Sequence, residues 1–375
     1  MTDLVPVVFD APAPHELMAA PGAAYGGAQV LRRTFLSTLL ARNDDIPVFF
    51  VTRAGCCDAV KRALRPIDRH GRAMVLAFAD AERALAGRSA VLQCLRPNLA
   101  RAIHFSCTLS GGRWPICGMT HDLFDPDVLL DLRLAATLEA WPITGVACAS
   151  HAARRALAVQ VGMALRGRGS RGICLPVIPH GIDLPPQDKG DDRSADALKA
   201  GARRELSIPG GDFVALYLGR LSLSAKADLL ALIGAFANAR TRRRRTLLLA
   251  GSAAATTDIA RIRTAIAEQL PGAADTILYV DPSDARKTIL LAAADVFVSP
   301  SAIGRIEGDV QLSARLSGQA RIRARNFTAA RMLDRYVRLW RALHVLAKRR
   351  TTDPISGFEY SVASVFAGHP SSWVE

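Results

Sequence analysis

The chain has 375 residues, of which 50% are hydrophobic and 22% are charged, and its formal net charge at pH 7 is +14. This length is sufficient for two domains with hydrophobic cores, and no apolar run is long enough to predict a transmembrane helix. The first residues lack the basic flank and the apolar stretch of a signal peptide, so we expect a cytoplasmic protein.

The positive charge is spread along the chain. Six of the 48 basic residues are lysine, so 48 − 6 = 42 are arginine, and we attribute the excess to a general coding bias. The densest run, Arg242 to Arg245, lies between a predicted helix and a predicted strand, where we expect a solvated turn. We expect no nucleic-acid partner. Peripheral contact with the anionic inner face of a membrane stays open as an alternative.

The seven cysteines all lie in the first half of the chain, and none forms a C-x-x-C pair. Their odd number and their spacing argue against a zinc site and against a disulfide framework. We therefore expect buried free thiols. The cysteines are Cys56, Cys57, Cys94, Cys107, Cys117, Cys148 and Cys174.

In the first half, short apolar runs alternate with helical patterns. Helical spacing covers residues 28–43 and 150–165. The apolar runs predict strands at 4–10, 46–52, 90–95, 102–107, 115–121, 145–150 and 173–182. This alternation predicts a doubly wound α/β domain.

The second half alternates more regularly. Strands are predicted at 212–219, 246–252, 276–281 and 295–301. Helices are predicted at 226–240, 257–270 and 284–294. The pattern predicts a second parallel sheet with helices on both faces, whose ligand-binding loops follow the carboxyl ends of the strands. A polar stretch at 185–196 separates the halves and is predicted to be a linker.

Two loops after predicted strands in the first half contain residues suited to ligand binding. "PGAAYGGAQ" places Gly22, Gly26 and Gly27 between the first strand and the first long helix, where a backbone approaches a ligand closely and a helix N-terminus favours anions. The spacing is not that of a dinucleotide site, and a plain glycine-rich turn is the alternative. "GMTHDL" places His121 and Asp122 just past a strand, where an imidazole binds a hydroxyl group or transfers a proton. A purely structural histidine is the alternative.

The stretch "YLGRLSLSAK" is the most informative. Gly219 permits a tight turn after the strand, and Arg220 and Lys226 then lie in one loop at the predicted ligand edge. Two cations in such a loop suit a diphosphate, because they neutralise charge that develops on a leaving group. Two solvated loop cations are the alternative interpretation.

This stretch, as part of "ALYLGRLSLSAKADLLALIGAFA", resembles the donor-domain signature of glycosyltransferase family four, which has the GT-B fold. Further segments agree in the same order, and the resemblance runs through most of residues 1–301. They are "GGAQVLRRTFLSTLLARN", "PICGMTHDL", "GVACASHAARRAL", "CLPVIPHGIDL", "LLLAGS" and "AADVFVSPS".

The resemblance implies two Rossmann-like domains that face a cleft, and retaining transfer of a sugar from a UDP- or GDP-linked donor. The acceptor would be a saccharide, a lipid-linked molecule or another small molecule. His121 would be catalytic beside the donor sugar, Arg220 and Lys226 would hold the diphosphate with Gly219 in the same loop, and Gly26–Gly27 would lie near the reacting centre. The family needs no bound metal, because these cations replace it, and no cofactor is expected.

The resemblance also implies a division of the chain. Residues 1–184 would form the acceptor-side domain, 185–206 a linker, and 207–318 a shortened donor domain. Residues 319–350 would form closing helices that cross back to the first domain, with Tyr336, Leu339 and Trp340 on their packing face, and 351–375 a tail.

The segment "VFVSPSAIGRIEGDVQL" departs from the family. Members have two glutamates eight positions apart after this strand, whereas here Glu307 is followed eight positions later by Arg315. We predict that about 50–70 residues, roughly two strand–helix units, are missing between Ser301 and Leu316. The strand at 295–301 would then lie at a sheet edge. The sequence therefore leaves two functions open, an active transferase and a catalytically impaired remnant that acts as a binding protein.

Overall fold

The computed structural model of the chain describes residues 4–9, 27–96, 99–120, 130–131, 134–135, 142–164, 173–182, 192–223, 228–239, 244–253, 255–270, 276–298 and 327–352. These residues fall into two compact units, one that contains seven strands and one that contains four. Within these ranges, no helix has the length and hydropathy needed to cross a membrane.

The first unit is built on a parallel sheet. Its strands are β1 (Val5–Phe9), β2 (Val48–Thr52), β3 (Ala73–Ala77), β4 (Ala90–Cys94), β5 (Ile116–Met119), β6 (Thr144–Ala147) and β7 (Ile173–Cys174). Their order in the sheet is β3-β2-β1-β4-β5-β6-β7. The helices between them are α1 (Gly27–Leu40), α2 (Cys57–Leu64), α3 (Phe78–Leu85), α4 (Leu99–Ser110) and α5 (His151–Ala164). Five strands, β1, β2, β4, β5 and β6, are buried along their whole length, as a sheet covered on both faces requires.

Helix α4 corrects one sequence prediction. Residues 102–107 were predicted to be a strand, and this prediction is wrong, because they lie in the middle of α4. The buried residues of the segment include Ala102, Ile103 and Ser106, which share one helix face, and the hydroxyl of Ser106 donates a hydrogen bond of 2.7 Å to the carbonyl oxygen of Trp114. Strand β3 and the short helices α2 and α3 were not predicted.

The second unit repeats the arrangement on a smaller scale. Its strands are β8 (Phe213–Leu218), β9 (Arg245–Gly251), β10 (Thr276–Val280) and β11 (Val296–Phe297), in the order β10-β9-β8-β11. Its helices are α6 (Asp192–Glu205), α7 (Leu229–Asn238), α8 (Thr256–Gln269) and α9 (Asp284–Ala293). The predicted α/β class with two parallel sheets is therefore confirmed. Helix α6 occupies much of the predicted linker and contributes Ala202 to a core layer of this unit.

Strand β11 lies at the edge of the second sheet within the described residues, where it pairs with β8. Residues 299–326 lie outside the described ranges. Glu307 and Arg315 belong to this segment, so the predicted loss of strand–helix units stays a prediction.

The arginine run before β9 is not simply a solvated turn. Arg245 donates a hydrogen bond of 2.9 Å to the carbonyl oxygen of Ala237, and its guanidinium lies 5.0 Å from the centroid of the Phe236 ring. Arg245 therefore fastens the end of α7 to the start of β9. Arg242 and Arg243 lie outside the described residues.

Helix α10 (Ala329–Thr352) closes one face of the first sheet. Tyr336, Leu339 and Trp340 are buried, as predicted, and the Tyr336 ring packs 5.0 Å from that of Phe35. The indole nitrogen of Trp340 donates a buried hydrogen bond of 2.8 Å to the side-chain oxygen of Gln93 in β4. This bond joins residues that are 247 positions apart in the sequence.

We expect the substitution Trp340→Phe to lower the free energy of unfolding of the first unit. The side-chain oxygen of Gln93 loses its buried donor, a loss of about 1–3 kcal/mol. Urea unfolding followed by circular dichroism measures this change, with Val345→Ala on the exposed face of α10 as the control. A loss no larger than that of the control would contradict the structural importance of this hydrogen bond.

Candidate functional site

The loop after β8 is the first candidate site. Its backbone is hydrogen-bonded to the end of β9 and the chain that follows. The amide of Gly219 donates a hydrogen bond of 2.9 Å to the carbonyl oxygen of Ala250, and the amide of Leu221 donates one of 2.8 Å to the carbonyl oxygen of Ser252. Arg220 lies between these two bonds, and its side chain is exposed. Within the described part of the chain, its guanidinium has no hydrogen bond or ion pair. A free cation is thus held on a fixed backbone at the carboxyl end of a parallel strand.

Two glycines allow the backbones to approach each other at this edge. A Cβ atom at Gly251 would lie 1.4 Å from the carbonyl oxygen of Gly219, which no side chain tolerates. A Cβ atom at Gly219 would lie 2.7 Å from the hydroxyl oxygen of Tyr217. Glycine is therefore required at position 251 by backbone contact, whereas a side chain at position 219 would displace the Tyr217 ring.

Tyr217 fixes the backbone of Arg220. Its hydroxyl donates a hydrogen bond of 3.0 Å to the carbonyl oxygen of Arg220. Burial raises the pKa of Tyr217, and the nearby charge of Arg220 offsets this rise in part. The hydroxyl therefore stays protonated at neutral pH and remains a donor.

The chain after β10 completes the same edge. The amide of Asp281 donates a hydrogen bond of 2.7 Å to the carbonyl oxygen of Gly251. The amide of Ala253 donates in turn to the carboxylate of Asp281, at 3.3 Å. Three consecutive strand ends of the second unit are thus tied together by hydrogen bonds, which leaves the backbone around Arg220 well supported.

The end of β5 is the corresponding place in the first unit. Thr120 is buried. Its amide donates a hydrogen bond of 3.0 Å to the carbonyl oxygen of Ala147, and its hydroxyl oxygen accepts one of 3.1 Å from the amide of Ala149. The Nε2 atom of His180 lies 2.9 Å from the carbonyl oxygen of Thr120. Burial lowers the pKa of His180, although this hydrogen bond opposes the change. A neutral His180 that donates from Nε2 therefore anchors the residue that precedes His121.

The segment that contains His180 is held from the other side by α10. A Cβ atom at Gly181 would lie 2.5 Å from the Cα of Ala329, so only glycine fits there. The amide of Ile182 donates a hydrogen bond of 2.8 Å to the carbonyl oxygen of Phe327. The amide of Ala329 donates a hydrogen bond of 3.1 Å to the carbonyl oxygen of Ile182. The "IPHGID" stretch thus connects the end of β5 with the start of α10.

Comparison with solved structures identifies the fold. HepE from Anabaena, solved in complex with UDP, is 16% identical, with a TM-score of 0.54 over 98% of this chain and 100% of that chain. The lipopolysaccharide outer core galactosyltransferase WaaB, in its apo form, is 11% identical, with a TM-score of 0.52 over 92% and 100%. A glycosyltransferase from Rickettsia africae is 13% identical, with a TM-score of 0.53 over 91% and 98%. HepE and WaaB are GT-B glycosyltransferases. The chain has the GT-B fold.

The sequence itself matches no protein-family profile and no curated protein. At these low identities the structural likeness shows the GT-B fold alone. The predicted fold class is confirmed, whereas membership of family four and the predicted truncation stay predictions.

The structure describes only some of the predicted site residues. Gly219 and Arg220 lie together at the end of β8, and Gly27 begins α1. His121, Lys226 and Gly26 lie outside the described residues, so their predicted roles are not tested.

Two residues of the site escaped the sequence analysis. Gly251 lies in the quoted "LLLAGS" stretch, but its need for glycine arises from contact with Gly219, which a one-dimensional pattern does not show. His180 lies in the quoted "IPHGID" stretch, and its partner Thr120 is 60 positions away. The only available signal was the position of both residues in segments that carry the family resemblance.

The cysteines and potential metal ligands provide no further site. None of the seven cysteines, all of which the structure describes, forms a disulfide bond. Cys94, Cys117, Cys148 and Cys174 are buried, so the prediction of buried thiols outside disulfides is confirmed for these four. Burial raises the pKa of the Cys148 thiol to about 11 and that of Cys174 to about 12. In the part of the chain that the structure describes, no three histidine, cysteine or acidic side chains are grouped to ligate a metal ion.

We expect Gly251→Ala to destabilise the second unit by about 1–3 kcal/mol, because the added methyl group forces the Gly219 carbonyl out of place. Gly210→Ala in the same unit is the matched control, since a Cβ atom there has nothing within 4 Å. Urea unfolding measures both changes. Equal stability of the two variants would show that the close approach of the two backbones is not needed.

A pH dependence is expected from His180. Its folded-state pKa lies below the ordinary value of 6.5, so the unfolded chain binds more protons just below pH 6.5. The contribution of His180 to stability is therefore complete above pH 6.5 and is lost as the pH falls through the folded-state pKa.

The substitution His180→Gln tests this dependence, because glutamine donates a hydrogen bond but does not titrate. We expect the free energy of unfolding of this variant to fall less on acidification than that of the wild type. His344 has a pKa that is lowered by burial and by Lys348, so its effect has the same sign and remains in both proteins. The matched control is the same substitution at an exposed position of α4, His104→Gln. Identical acid dependence of the His180→Gln variant and the wild type would refute this assignment.

Proposed function

We propose that the chain is a glycosyltransferase that uses a nucleotide-sugar donor. The observation that carries this proposal is the exposed guanidinium of Arg220 on a fixed backbone at the carboxyl end of β8, within a GT-B fold. In open parallel sheets, ligands bind outside the carboxyl ends of the strands. The position of Arg220 and the fold therefore both support a donor site at this strand end in the proposal.

Arginine suits the chemistry of a diphosphate. Its planar guanidinium donates two parallel hydrogen bonds to phosphate oxygens and keeps its charge at every physiological pH. In sugar transfer, negative charge grows on the departing nucleoside diphosphate, and a cation held in place beforehand stabilises it. Tyr217 and the hydrogen bonds to the chain after β9 hold the Arg220 backbone, which reduces the reorganisation needed on binding. Lys226 supplies a second cation from the same loop in this proposal.

We favour UDP over GDP as the nucleotide. HepE was solved with UDP and, in a second structure, with UDP and glucose. That second structure is 18% identical, with a TM-score of 0.51 over 84% of this chain and 79% of that chain. The remaining details are proposed from the sequence: retention of configuration, His121 beside the donor sugar, and a saccharide, lipid-linked or small-molecule acceptor.

The second candidate is a binding protein without transferase activity. The observation that favours it is the sequence after β11, where Glu307 is present but Arg315 occupies the position of the second glutamate. A ribose diol without its partner loses hydrogen bonds worth about 1–3 kcal/mol. Such a protein would retain the Arg220 loop but bind donors weakly and transfer no sugar.

A thermal-shift titration with UDP, GDP and UDP-glucose distinguishes these candidates. Saturable stabilisation by UDP and UDP-glucose, with release of UDP from UDP-glucose, is the result expected of the transferase. Stabilisation by UDP without turnover of UDP-glucose in the presence of saccharide or lipid-linked acceptors would favour the binding protein. A cooperative melt that no nucleotide shifts would overturn both.

We expect Arg220→Ala to weaken UDP binding by about 10- to 100-fold, because a charge-assisted hydrogen bond contributes about 1.5–3 kcal/mol. Arg263→Ala, on an exposed position of α8 in the same unit, is the matched control and should leave the affinity for UDP unchanged. Isothermal titration calorimetry measures both dissociation constants. The same affinity in the Arg220→Ala variant and the control would remove Arg220 from the site.

A further inference from the structure

Helix α10 has a second face that the GT-B fold does not explain. One side of the helix is buried in the first unit, whereas Arg331, Arg338, Arg341, Lys348 and Arg349 are exposed. With the half-buried Arg335, these residues form the basic face of α10. Successive members from Arg331 to Lys348 are three, four or seven residues apart and Arg349 follows Lys348 directly, so the face runs along the helix for about 27 Å.

The charge of this segment is one-sided. Residues 327–352 contain seven basic residues and one acidic residue, a net charge of 7 − 1 = +6, against +14 for the whole chain of 375 residues. A general arginine bias does not produce this pattern. Helix α8, which also has an exposed face, carries Arg261 and Arg263 but balances them with Asp258 and Glu268.

At the N-terminal end of α10, the basic face is unfavourable for the helix itself. The first turn of α10 contains no acidic residue and includes Arg331, although the helix dipole disfavours cations at that end. Arg331, Arg335 and Arg338 are spaced at three and four residues, and like charges at these distances repel each other. Burial lowers the pKa of Arg335, and the charges of Arg331 and Arg338 lower it further. An external anion relieves this repulsion.

We propose that the basic face of α10 binds an anionic lipid surface. Four to eight basic residues along an amphipathic helix match the negative surface of a membrane. The apolar side of α10 is already buried in the protein core, so the helix attaches through charge without inserting into the bilayer. The binding is therefore expected to be reversible and sensitive to salt.

The composition of the face favours a membrane over a single-stranded nucleic acid. Stacking on bases requires exposed rings. The rings of Tyr336 and Trp340 on α10 are buried, and both ring nitrogens of His344 are buried as well. Between Arg341 and Lys348, the basic face of α10 contains Val345, which is 45% exposed. At a surface of lipid headgroups this aliphatic side chain needs no hydrogen-bond partner, and it offers no ring on which a base could stack.

The test is co-sedimentation of the full chain with vesicles, without any nucleotide, so that it does not depend on the proposed transferase function. Vesicles of phosphatidylcholine with about 30% phosphatidylglycerol are compared with pure phosphatidylcholine, at low and at high salt. The variant is Arg338→Glu/Arg341→Glu. The matched control is Arg261→Glu/Arg263→Glu on α8, which changes the net charge by the same amount. Both pairs are at exposed positions.

We expect the wild type and the control to bind the anionic vesicles at low salt, and neither to bind the neutral ones. The α10 variant should bind at least about 30-fold more weakly. Arg338→Gln/Arg341→Gln should give a smaller loss, which separates the effect of charge from any effect of reversal on folding. No binding of the wild type to anionic vesicles, or an equal loss in the control, would overturn the proposal. Tighter binding to duplex DNA than to the vesicles would also overturn it, in favour of a nucleic-acid partner.

Discussion

Burial of both faces of each parallel sheet is the constraint on which the rest of the structure depends. In the first unit, one face of the sheet packs on Phe35, Tyr336 and Trp340, and the other face packs through Phe9 of β1 on Phe105 of α4. The second unit likewise has one core layer on each face of its sheet. Helices on both faces require crossover connections, and these bring the carboxyl ends of all strands in a sheet to one edge. Arg220 in one unit and Thr120 in the other are at such edges because of this packing.

The arginine-rich composition serves two different purposes. Arg203 is buried, donates to the carbonyl oxygens of Ala293 and Gly210, and pairs with Asp295 at 2.7 Å. Arg245 likewise satisfies the end of a helix. These guanidinium groups replace water at buried carbonyl oxygens. Arg220 after β8 and Arg338 and Arg341 on α10 are exposed instead, so the net charge of the chain combines buried structural groups and surface groups that only the structure separates.

Most of the secondary structure was accessible from the sequence because both sheets are built from compact apolar runs. The four strands of the second unit and the packing face of α10 follow directly from periodicity. The strand prediction at 102–107 failed because a short apolar run has the same appearance in a buried helix and in a buried strand. Strand β3 escaped because its residues are only half-buried and lack a strong pattern.

The site was predictable only as far as it is local. Gly219 and Arg220 are adjacent to a strand end and were found by their position. The contact of Gly251 with Gly219, and that of His180 with Thr120, join segments that are distant in the sequence. Tertiary packing creates these requirements, and a single sequence does not record them.

The path of the chain through α10 has a consequence for synthesis. The first unit takes its strands from the beginning of the chain, but Tyr336 and Trp340, which complete one of its two core layers, follow the second unit in the sequence. While the polypeptide emerges from the ribosome, the side chain of Gln93 and the apolar surface around Phe35 wait for a partner that is made more than 200 residues later. Among the described residues, the helices and strands of the second unit from α6 to β11 follow one another in the sequence, so none of them waits for a later segment. Domains generally fold as units during synthesis, from the N-terminus onwards. Here the later unit is able to fold first, and the earlier one has an exposed apolar face that chaperones would recognise until translation has passed α10.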